Sequence, residues 1–420
     1  MGRSARSAAT GAVPTRTRRS EEELVVHLDA VDLGGDQIVG SLRRAQSRGT
    51  SVLSFQFDDE WLVANPRFAL DDALKPRPGR QYLDALPGIF DDTTPDRWGR
   101  TLLERDVARQ GRARVLDEWD FLTLVRDEMR MGALRFARAE DGVFVAEEIP
   151  AVPPVARLRE VEDAVRIIEA GGIAEAAVAD LVAPGSSLGG NRPKANFRMD
   201  DGRLWIAKFP SANDRWDVAA WEFLLNRLAA AAGIPVPDTQ LLGPFLGNHH
   251  TFAALRFDRV AAGRRLFASA MTLTGQRDHE HASYLQIVRA IERYGDATAI
   301  AQDLAQLFRR VAFNVLVGHR DDHLRNHAFL RDPGGWRLSP AYDLNPTPDL
   351  RVHQLAIDDR DARPGRDLVL ATAPYYRLRD PEARRIVEEV RSAIASWRQE
   401  AKRIGIAPAQ TQLMGAVFAV

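Results

Sequence analysis

Cysteine is absent from this chain of 420 residues, which excludes disulfide bonds and thiolate metal sites. No uncharged apolar run is long enough to span a bilayer. Basic and acidic residues nearly cancel, 57 against 58, so the overall field does not attract a polyanion. We therefore expect a cytoplasmic protein without a membrane role. Its 45% hydrophobic residues suffice for a large core split over two or three domains.

Lysine is scarce as well. The basic residues are arginine except at four positions, Lys75, Lys194, Lys208 and Lys402. Lysine presents a compact point charge that suits a phosphate group, whereas arginine prefers planar, bidentate partners. Lys194 and Lys208 lie fourteen residues apart, in a segment that other motifs also mark. Both are candidates for binding a phosphate.

The first 22 residues form a basic tail. Residues 1–20 carry five arginines and no acid, and they lack the apolar core of a secretory signal. We predict that this tail is disordered; a basic arm that touches nucleic acid is the alternative interpretation.

The stretch that most clearly indicates a catalytic function begins with a helix. We predict this helix over 304–316, because apolar residues recur there at helical spacing before Gly318. The polar loop that follows contains His319-Arg320-Asp321 and, five residues after Asp321, Asn326. This pattern is similar to the catalytic loop of protein kinases. A solvated turn is the alternative interpretation of such an Asp-rich loop.

A β-hairpin is predicted directly after this loop, with strands at 327–331 and 336–340. Because a hairpin brings its open ends together, Asn326 and Asp343 should lie side by side, with Asp321 close to them. Two oxygen ligands beside a carboxylate base form the layout that a Mg²⁺-dependent phosphoryl transferase needs.

A glycine- and serine-rich loop at 185–190 precedes a second predicted hairpin, whose strands cover 194–199 and 203–208. Glycine frees backbone N–H groups that can bind phosphate oxygens. The loop is not a Walker A motif, because Asn191 stands where the lysine should be. A flexible connection remains the alternative.

The next predicted helix starts at a cap, Asn213 or Asp214, and ends at Gly233. Glu222 lies at the edge of its apolar stripe, where a carboxylate is costly unless it is paired. Lys208 on the preceding strand is the natural partner, as in the strand-lysine and helix-glutamate pair of kinases. An exposed glutamate is the alternative. Residues 251–259 are predicted as a strand that leaves this lobe.

In this order of motifs the chain resembles the HipA family of toxin–antitoxin serine/threonine kinases. Seven segments carry the resemblance: residues 186–194, 206–210, 256–259, 321–326 and 342–343, together with 96–100 and 131–136 in the first part of the chain. The match spans residues 24 to 400.

The resemblance implies an α+β fold, with a β-rich N-terminal subdomain and a two-lobed kinase-like part whose C-terminal lobe is mostly helical. The expected boundaries are 1–22 for the tail, 23–150 for the N-terminal subdomain, 151–260 for the kinase N-lobe and 261–420 for the C-lobe. ATP and Mg²⁺ are the implied cofactors.

The resemblance also assigns roles to residues. Asp321 would be the base, Asn326 and Asp343 would hold Mg²⁺, and Lys208 would bind ATP phosphates. Two departures are Leu255, where the family often has glutamate, and Asp322, which leaves open which of two adjacent carboxylates acts. The implied ATP site comprises Gly189, Gly190, Asn191, Arg192, Pro193, Lys194, Lys208, Leu255, Arg256, Phe257, His323, Leu324, Arg325, Asn326, Tyr342 and Asp343.

Regulation and partners are implied in the same way. Ser187 aligns with the family's autophosphorylated serine, with Ser186 as an alternative, and the added charge would silence the kinase. The implied substrate is a protein, of the aminoacyl-tRNA synthetase class, and the implied partner is a HipB-like helix-turn-helix antitoxin that brings the toxin to DNA. A catalytically silent nucleotide-binding subunit and a small-molecule kinase remain alternatives.

Overall fold

The structure is a computed structural model, and it describes residues 20–47, 50–109, 111, 114–147, 152–172, 192–260, 263–277 and 281–418. The basic tail up to residue 19 lies outside the described residues. So do five predicted site residues of the glycine-serine loop: Ser186, Ser187, Gly189, Gly190 and Asn191. Within the described part of the chain, no helix has the length and apolar character needed to cross a membrane.

The first part of the chain folds around a seven-stranded sheet. Leu24, Val26 and Leu28 alternate with more exposed neighbours, so one face of the first strand is buried, as its period of two predicts. This strand begins at Ser20, inside the segment predicted as tail, because Ser20 already pairs with Gln46. Five of the sheet's strands come from this part of the chain: β1 Ser20–Ala30, β2 Gly35–Ser47, β3 Thr50–Phe57, β4 Gln81–Leu83 and β5 Leu134–Arg138. The helices are α1 Asp59–Ala64, α2 Gly88–Asp91, α3 Arg97–Arg109 and α4 Glu118–Thr123.

A second, antiparallel sheet has four strands, which lie side by side in the order 194–198, 204–208, 251–255 and 239–242. Its first hairpin pairs Lys194 directly with Lys208, so the two scarce lysines are cross-strand neighbours. Helix α3 of the first part also packs against this sheet, because its Trp98 and Leu102 belong to the same hydrophobic core as Phe197. The elements are α5 Leu158–Glu169, β6 Lys194–Arg198, β7 Leu204–Lys208, α6 Val218–Ala231, β8 Thr239–Leu242 and β9 Thr251–Leu255.

The last part is mostly helical, as expected. Two short strands, β10 Arg259–Val260 and β11 Gly263–Arg264, first return to the large sheet, where β11 pairs with β1. A three-stranded sheet follows, made of β12 Phe267–Ser269, β13 Ala328–Asp332 and β14 Gly335–Leu338. The helices are α7 Ala270–Thr274, α8 Tyr284–Tyr294, α9 Ile300–Val317, α10 Arg366–Thr372, α11 Asp380–Ile394, α12 Trp397–Ile404 and α13 Pro408–Met414.

Two local predictions need correction. Helix α6 is capped by Asp217, whose carboxylate accepts the N–H of Ala220, and not by the predicted cap at 213 or 214. The carboxylate of Asp214 is instead engaged by the guanidinium of Arg192. The strand predicted over 251–259 ends at Leu255, because the chain turns there before β10.

A buried ion-pair network joins the first part of the chain to the second sheet. Asp258 is 1% exposed and accepts hydrogen bonds from Arg256 at 2.7 Å, Arg259 at 2.5 Å and the backbone N–H of Gly132 at 2.7 Å. Burial raises the pKa of Asp258, but the two guanidinium groups outweigh it and hold that pKa well below its usual value. Gly132 has φ +76°, and a Cβ there would lie 3.0 Å from the Cβ of Phe267, so only glycine fits.

We predict that Asp258→Asn lowers the free energy of unfolding by about 3–5 kcal/mol, because it leaves buried guanidinium groups uncompensated. The midpoint of urea unfolding, followed by circular dichroism, measures this loss. Asp201→Asn is the control, since Asp201 pairs with Arg203 at the surface and its loss should leave the midpoint nearly unchanged. Equal midpoints for the two variants would contradict the role given to the network.

Candidate active site

The predicted hairpin is present and brings together the two ends of the catalytic stretch. Strands β13 and β14 pair with Leu330 opposite Arg337, and helix α9 ends at Gly318 with φ +68°, as the sequence predicts. The hydroxyl of Tyr342 donates to the carbonyl of Arg325 at 2.6 Å, which ties the segment after β14 to the loop before β13. Asp343 therefore faces the polar loop.

The amine of Lys208 lies at the centre of the site. It contacts Glu222 Oε1 at 2.6 Å and makes a still closer contact with Asp343 Oδ1. Burial lowers the pKa of Lys208, but the two carboxylates outweigh that effect and raise the pKa above its usual value. The lysine is therefore charged and held between helix α6 and the segment after β14.

The two carboxylates that share this amine have opposite pKa shifts. Burial raises the pKa of Glu222, which is 1% exposed and whose Oε2 atom has no hydrogen-bond partner in the described part of the chain. Burial also raises the pKa of Asp343, but Lys208 outweighs it, so the pKa of Asp343 lies well below its usual value. Asp343 is thus the more firmly ionised of the two.

Asp343 has a backbone that side-chain-bearing residues rarely adopt. Its φ is +59°, in the left-handed region, and such conformations concentrate at functional sites, where the surrounding structure maintains them. Here the hydrogen bond of Tyr342 on one side and the contact with Lys208 on the other hold the segment in place. The unusual backbone directs the carboxylate toward the lysine.

The two adjacent carboxylates of the loop have different environments. Asp322 is 1% exposed, and its Oδ2 accepts hydrogen bonds from Tyr284, Asn314 and His327. Asp321 reaches solvent, yet the protein packed around it raises its pKa; the histidines His323 and His319 oppose this rise, and Asp343 adds to it. Of these two neighbours, Asp321 is the one whose carboxylate is open to solvent.

Asn326 has the features of a metal ligand. It is 4% exposed, and its Oδ1 has no hydrogen-bond partner among the described residues, while its Nδ2 faces the carbonyl of Asp321 at 3.5 Å. The described residues contain no group of three or more His, Cys, Asp or Glu side chains suited to a metal. One carboxylate and one amide oxygen, from Asp343 and Asn326, nevertheless fit Mg²⁺, which takes few protein ligands when phosphates supply the others.

A cleft opens beside Lys208, between the second sheet and the helical part. Seven of the predicted nucleotide residues line it: Lys194, Lys208, Leu255, Arg256, Phe257, Tyr342 and Asp343. Glu222, the helix partner of Lys208, lines it as well. The cleft is also lined by residues that were not predicted as site residues: Met131, Ile206, Asn226, Pro237, Phe252, Ala254 and Asp258. Asn226 could have been found, because it lies four residues after Glu222 on the same helix face.

Several predicted nucleotide residues have protein partners. The amine of Lys194 lies 2.5 Å from Asp96 of the first part of the chain, and both side chains are 6% exposed. Arg192 pairs with Asp214 at 2.5 Å. Arg256 is buried and binds backbone carbonyls of the first part, at Met129 and Arg130, besides Asp258.

The remaining predicted residues are Pro193, which directly precedes β6, and three residues of the polar loop. Pro193 accepts the N–H of Phe209 through its carbonyl, His323 begins the short 3₁₀ helix Leu324–Asn326, Leu324 is 3% exposed, and Arg325 lies 3.4 Å from Asp91. The site assignments for these residues stay predictions.

The fold is α+β and kinase-like, with the lysine, glutamate and aspartate of that architecture gathered at one cleft. The model of the HipA-like C-terminal domain matches residues 186–398, and that of the HipA N-terminal domain matches residues 31–137. The first match alone covers more than half of the chain. The chain belongs to the HipA family.

Individual relatives agree with this assignment. "Putative kinase Y4dM" of Sinorhizobium fredii is 32% identical over 160 residues, which cover 34% of this chain and 37% of that protein. "Putative kinase" of Haemophilus influenzae is 28% identical over 192 residues, 40% of this chain and 55% of that protein. The chain thus matches roughly a third to a half of the length of these curated relatives.

A solved structure shows the same fold over nearly the whole chain. A chain of the Shewanella oneidensis MR-1 toxin–antitoxin complex, which contains HipA, HipB and operator DNA, superposes with a TM-score of 0.67. The identity is 16%, and the match covers 94% of each chain. At this identity the likeness concerns the fold alone.

We predict that Lys208→Met destabilises the protein more at about pH 7 than at about pH 4.5. At neutral pH the variant leaves the buried carboxylate of Glu222 and the partly buried carboxylate of Asp343 without their shared cation, at a cost of about 3–5 kcal/mol. At about pH 4.5 these two carboxylates of the variant bind protons, because burial and their mutual repulsion raise their pKa values once the cation is gone, so less of the cost remains. The wild-type protein keeps the stability that the depressed pKa of Asp343 provides, since that stability is lost only as the pH falls below the pKa of an unfolded aspartate. Thermal unfolding at both pH values measures the difference, and an equal loss at both would contradict the shared ion pair.

Proposed function

We propose that this chain is an ATP- and Mg²⁺-dependent serine/threonine protein kinase of the HipA toxin type. The observation that carries the proposal is the amine of Lys208, which contacts Glu222 and Asp343 at the wall of a cleft. Kinases use such a lysine to bind ATP phosphates and such a glutamate to orient it. Membership of the HipA family and the kinase names of two relatives support the same function.

Asp321 is the proposed base. As the γ-phosphoryl group moves from ATP to a serine or threonine hydroxyl, the bond to ADP breaks, a bond to the hydroxyl oxygen forms and the hydroxyl proton passes to the Asp321 carboxylate. The raised pKa of Asp321 suits this role, because a more basic carboxylate accepts a proton more readily.

Asn326 and Asp343 are the proposed ligands of Mg²⁺, which neutralises charge on the phosphates when it is bound. The free Oδ1 of Asn326 and the ionised carboxylate of Asp343 support this assignment. Lys208 and its cross-strand neighbour Lys194 would bind phosphate oxygens, and Leu255 to Phe257 would border the adenine.

The proposed substrate is a protein of the aminoacyl-tRNA synthetase class, as the family resemblance implies. The proposed partner is a HipB-like helix-turn-helix antitoxin, through which the kinase would reach DNA. The Shewanella oneidensis complex of HipA, HipB and operator DNA, whose fold this chain shares, supports such a partner. An adjacent reading frame for a short helix-turn-helix protein would support it further.

We predict that Asp321→Asn lowers the transfer of labelled phosphate from γ-labelled ATP to cell-extract proteins by about 100-fold or more, because it removes the base. The binding of ATP should change little. Asp349→Asn is the matched control, since Asp349 is an exposed aspartate that pairs only with Arg215 among the contacts described for it. Equal labelling by the Asp321→Asn variant and the wild type would favour a silent nucleotide-binding subunit, and label confined to small molecules would favour a small-molecule kinase.

We also predict self-inactivation through the glycine-serine loop. After incubation with MgATP, mass spectrometry should locate phosphate on Ser187 or Ser186, and activity should decline as the modification accumulates, because about two negative charges enter the nucleotide site. Ser187→Ala and Ser186→Ala identify which residue is modified, since the variant that lacks it should keep its activity. A loop that stays unphosphorylated after prolonged incubation would contradict the prediction.

A further inference from the structure

The buried carboxylate of Asp322 takes no part in the proposed chemistry, although it follows the proposed base directly in the chain. Three donors converge on its Oδ2: the hydroxyl of Tyr284 at 2.6 Å, the Nδ2 of Asn314 at 2.8 Å and the Nε2 of His327 at 2.8 Å. These four side chains are each exposed by 3% or less. A carboxylate at this depth needs such donors, so the arrangement is specific.

The partners of Asp322 belong to three different parts of the helical region. Tyr284 is the first residue of α8, and Asn314 lies in the last turns of α9. A further hydrogen bond, from Asn314 Nδ2 to the Tyr284 hydroxyl at 3.2 Å, connects these two helices to each other. Asp322 thereby anchors the polar loop to two helices of the core.

The third partner of Asp322 is His327, which directly follows the polar loop in the chain. His327 follows the proposed metal ligand Asn326, just as Asp322 follows the proposed base Asp321. The hydrogen bond between Asp322 and His327 therefore joins the two ends of the segment that carries both functional groups. Within this segment, the N–H of Asn326 also donates to the carbonyl of His323 at 2.8 Å.

We propose that Asp322 is a positioning residue, which through its hydrogen bond to His327 fixes the separation of the base Asp321 and the metal ligand Asn326. This inference rests on the proposed kinase function. Asp322 is not among the described residues that line the cleft beside Lys208, so its effect is on the placement of the reacting groups and not on ATP binding. A displacement of about 1 Å in such groups can cost about 100-fold in rate.

The test compares Asp322→Asn with the wild type under identical conditions. The amide is a weaker, uncharged acceptor for three donors, so the loop should shift while the volume of the side chain is conserved. We expect kcat to fall by about 100-fold, the dissociation constant for ATP in calorimetry to change less than about twofold and the Mg²⁺ concentration for half-maximal rate to rise several-fold. Hydrogen–deuterium exchange should increase in residues 319–327.

Two further variants separate positioning from mere stability. Asp303→Asn removes another buried carboxylate of the same region, which accepts from Arg337 at 2.9 Å, and should lower stability while leaving kcat and exchange at 319–327 unchanged. His327→Gln should reduce kcat like Asp322→Asn, and the double variant should add little to either single loss, because both act through one hydrogen bond.

The outcomes distinguish this inference from the function on which it rests. A folded Asp322→Asn variant with wild-type kcat, or a loss of kcat that Asp303→Asn reproduces, would overturn the positioning role alone. Independent, fully additive losses in the double variant would also overturn it. A wild-type protein that transfers no phosphate would end the proposed function and the positioning role together.

Discussion

One cation shared by two carboxylates connects the parts of this molecule. The amine of Lys208 comes from a strand, Glu222 from a helix and Asp343 from the segment after a hairpin. Glu222 is buried, and Lys208 and Asp343 are partly buried, so each of these charges is stabilised by its partners. The ion pairs in the cleft therefore help to fix the position of the second sheet relative to the helical region.

The same principle recurs at the boundary with the first part of the chain. Lys194 faces Asp96, and Arg256 and Arg259 face Asp258. Apolar packing accompanies these pairs, since Trp98 of α3 enters the core of the second sheet. The two regions matched by separate family models are thus interlocked by charge and by packing.

The sequence predicted much of this arrangement because the relevant signals are local. The stripe before Gly318, the turn between β13 and β14 and the pair of Lys208 with Glu222 all follow from spacing along the chain, and the structure contains each of them. Local patterns also misled: three acceptor side chains precede α6, and spacing could not tell that Asp214 pairs with Arg192 while Asp217 caps the helix.

Long-range features lay beyond that reasoning. Nothing along the chain indicates that Asp96 reaches Lys194, that Met131 lines the cleft or that Asp322 is buried and Asp321 accessible, because each depends on contacts between distant segments. The choice between two adjacent carboxylates in particular needed a measure of burial. In a strand, side chains alternate between the two faces, so the sequence indicates which of two neighbours is buried. A loop has no such period, and its sequence does not show which side chain enters the core.

The interlocking at Gly132 bears on how the chain can be divided. A fragment cut to the span of the C-terminal family model would begin after β1 to β5 and would leave behind the carbonyls of Met129 and Arg130 that Arg256 binds. The guanidinium group of Arg256, in the wall of the cleft, would then lack these two carbonyl acceptors and would bind water or a nearby anion in their place. A catalytic fragment designed by family boundaries alone would accordingly have a different pocket from that of the chain described above.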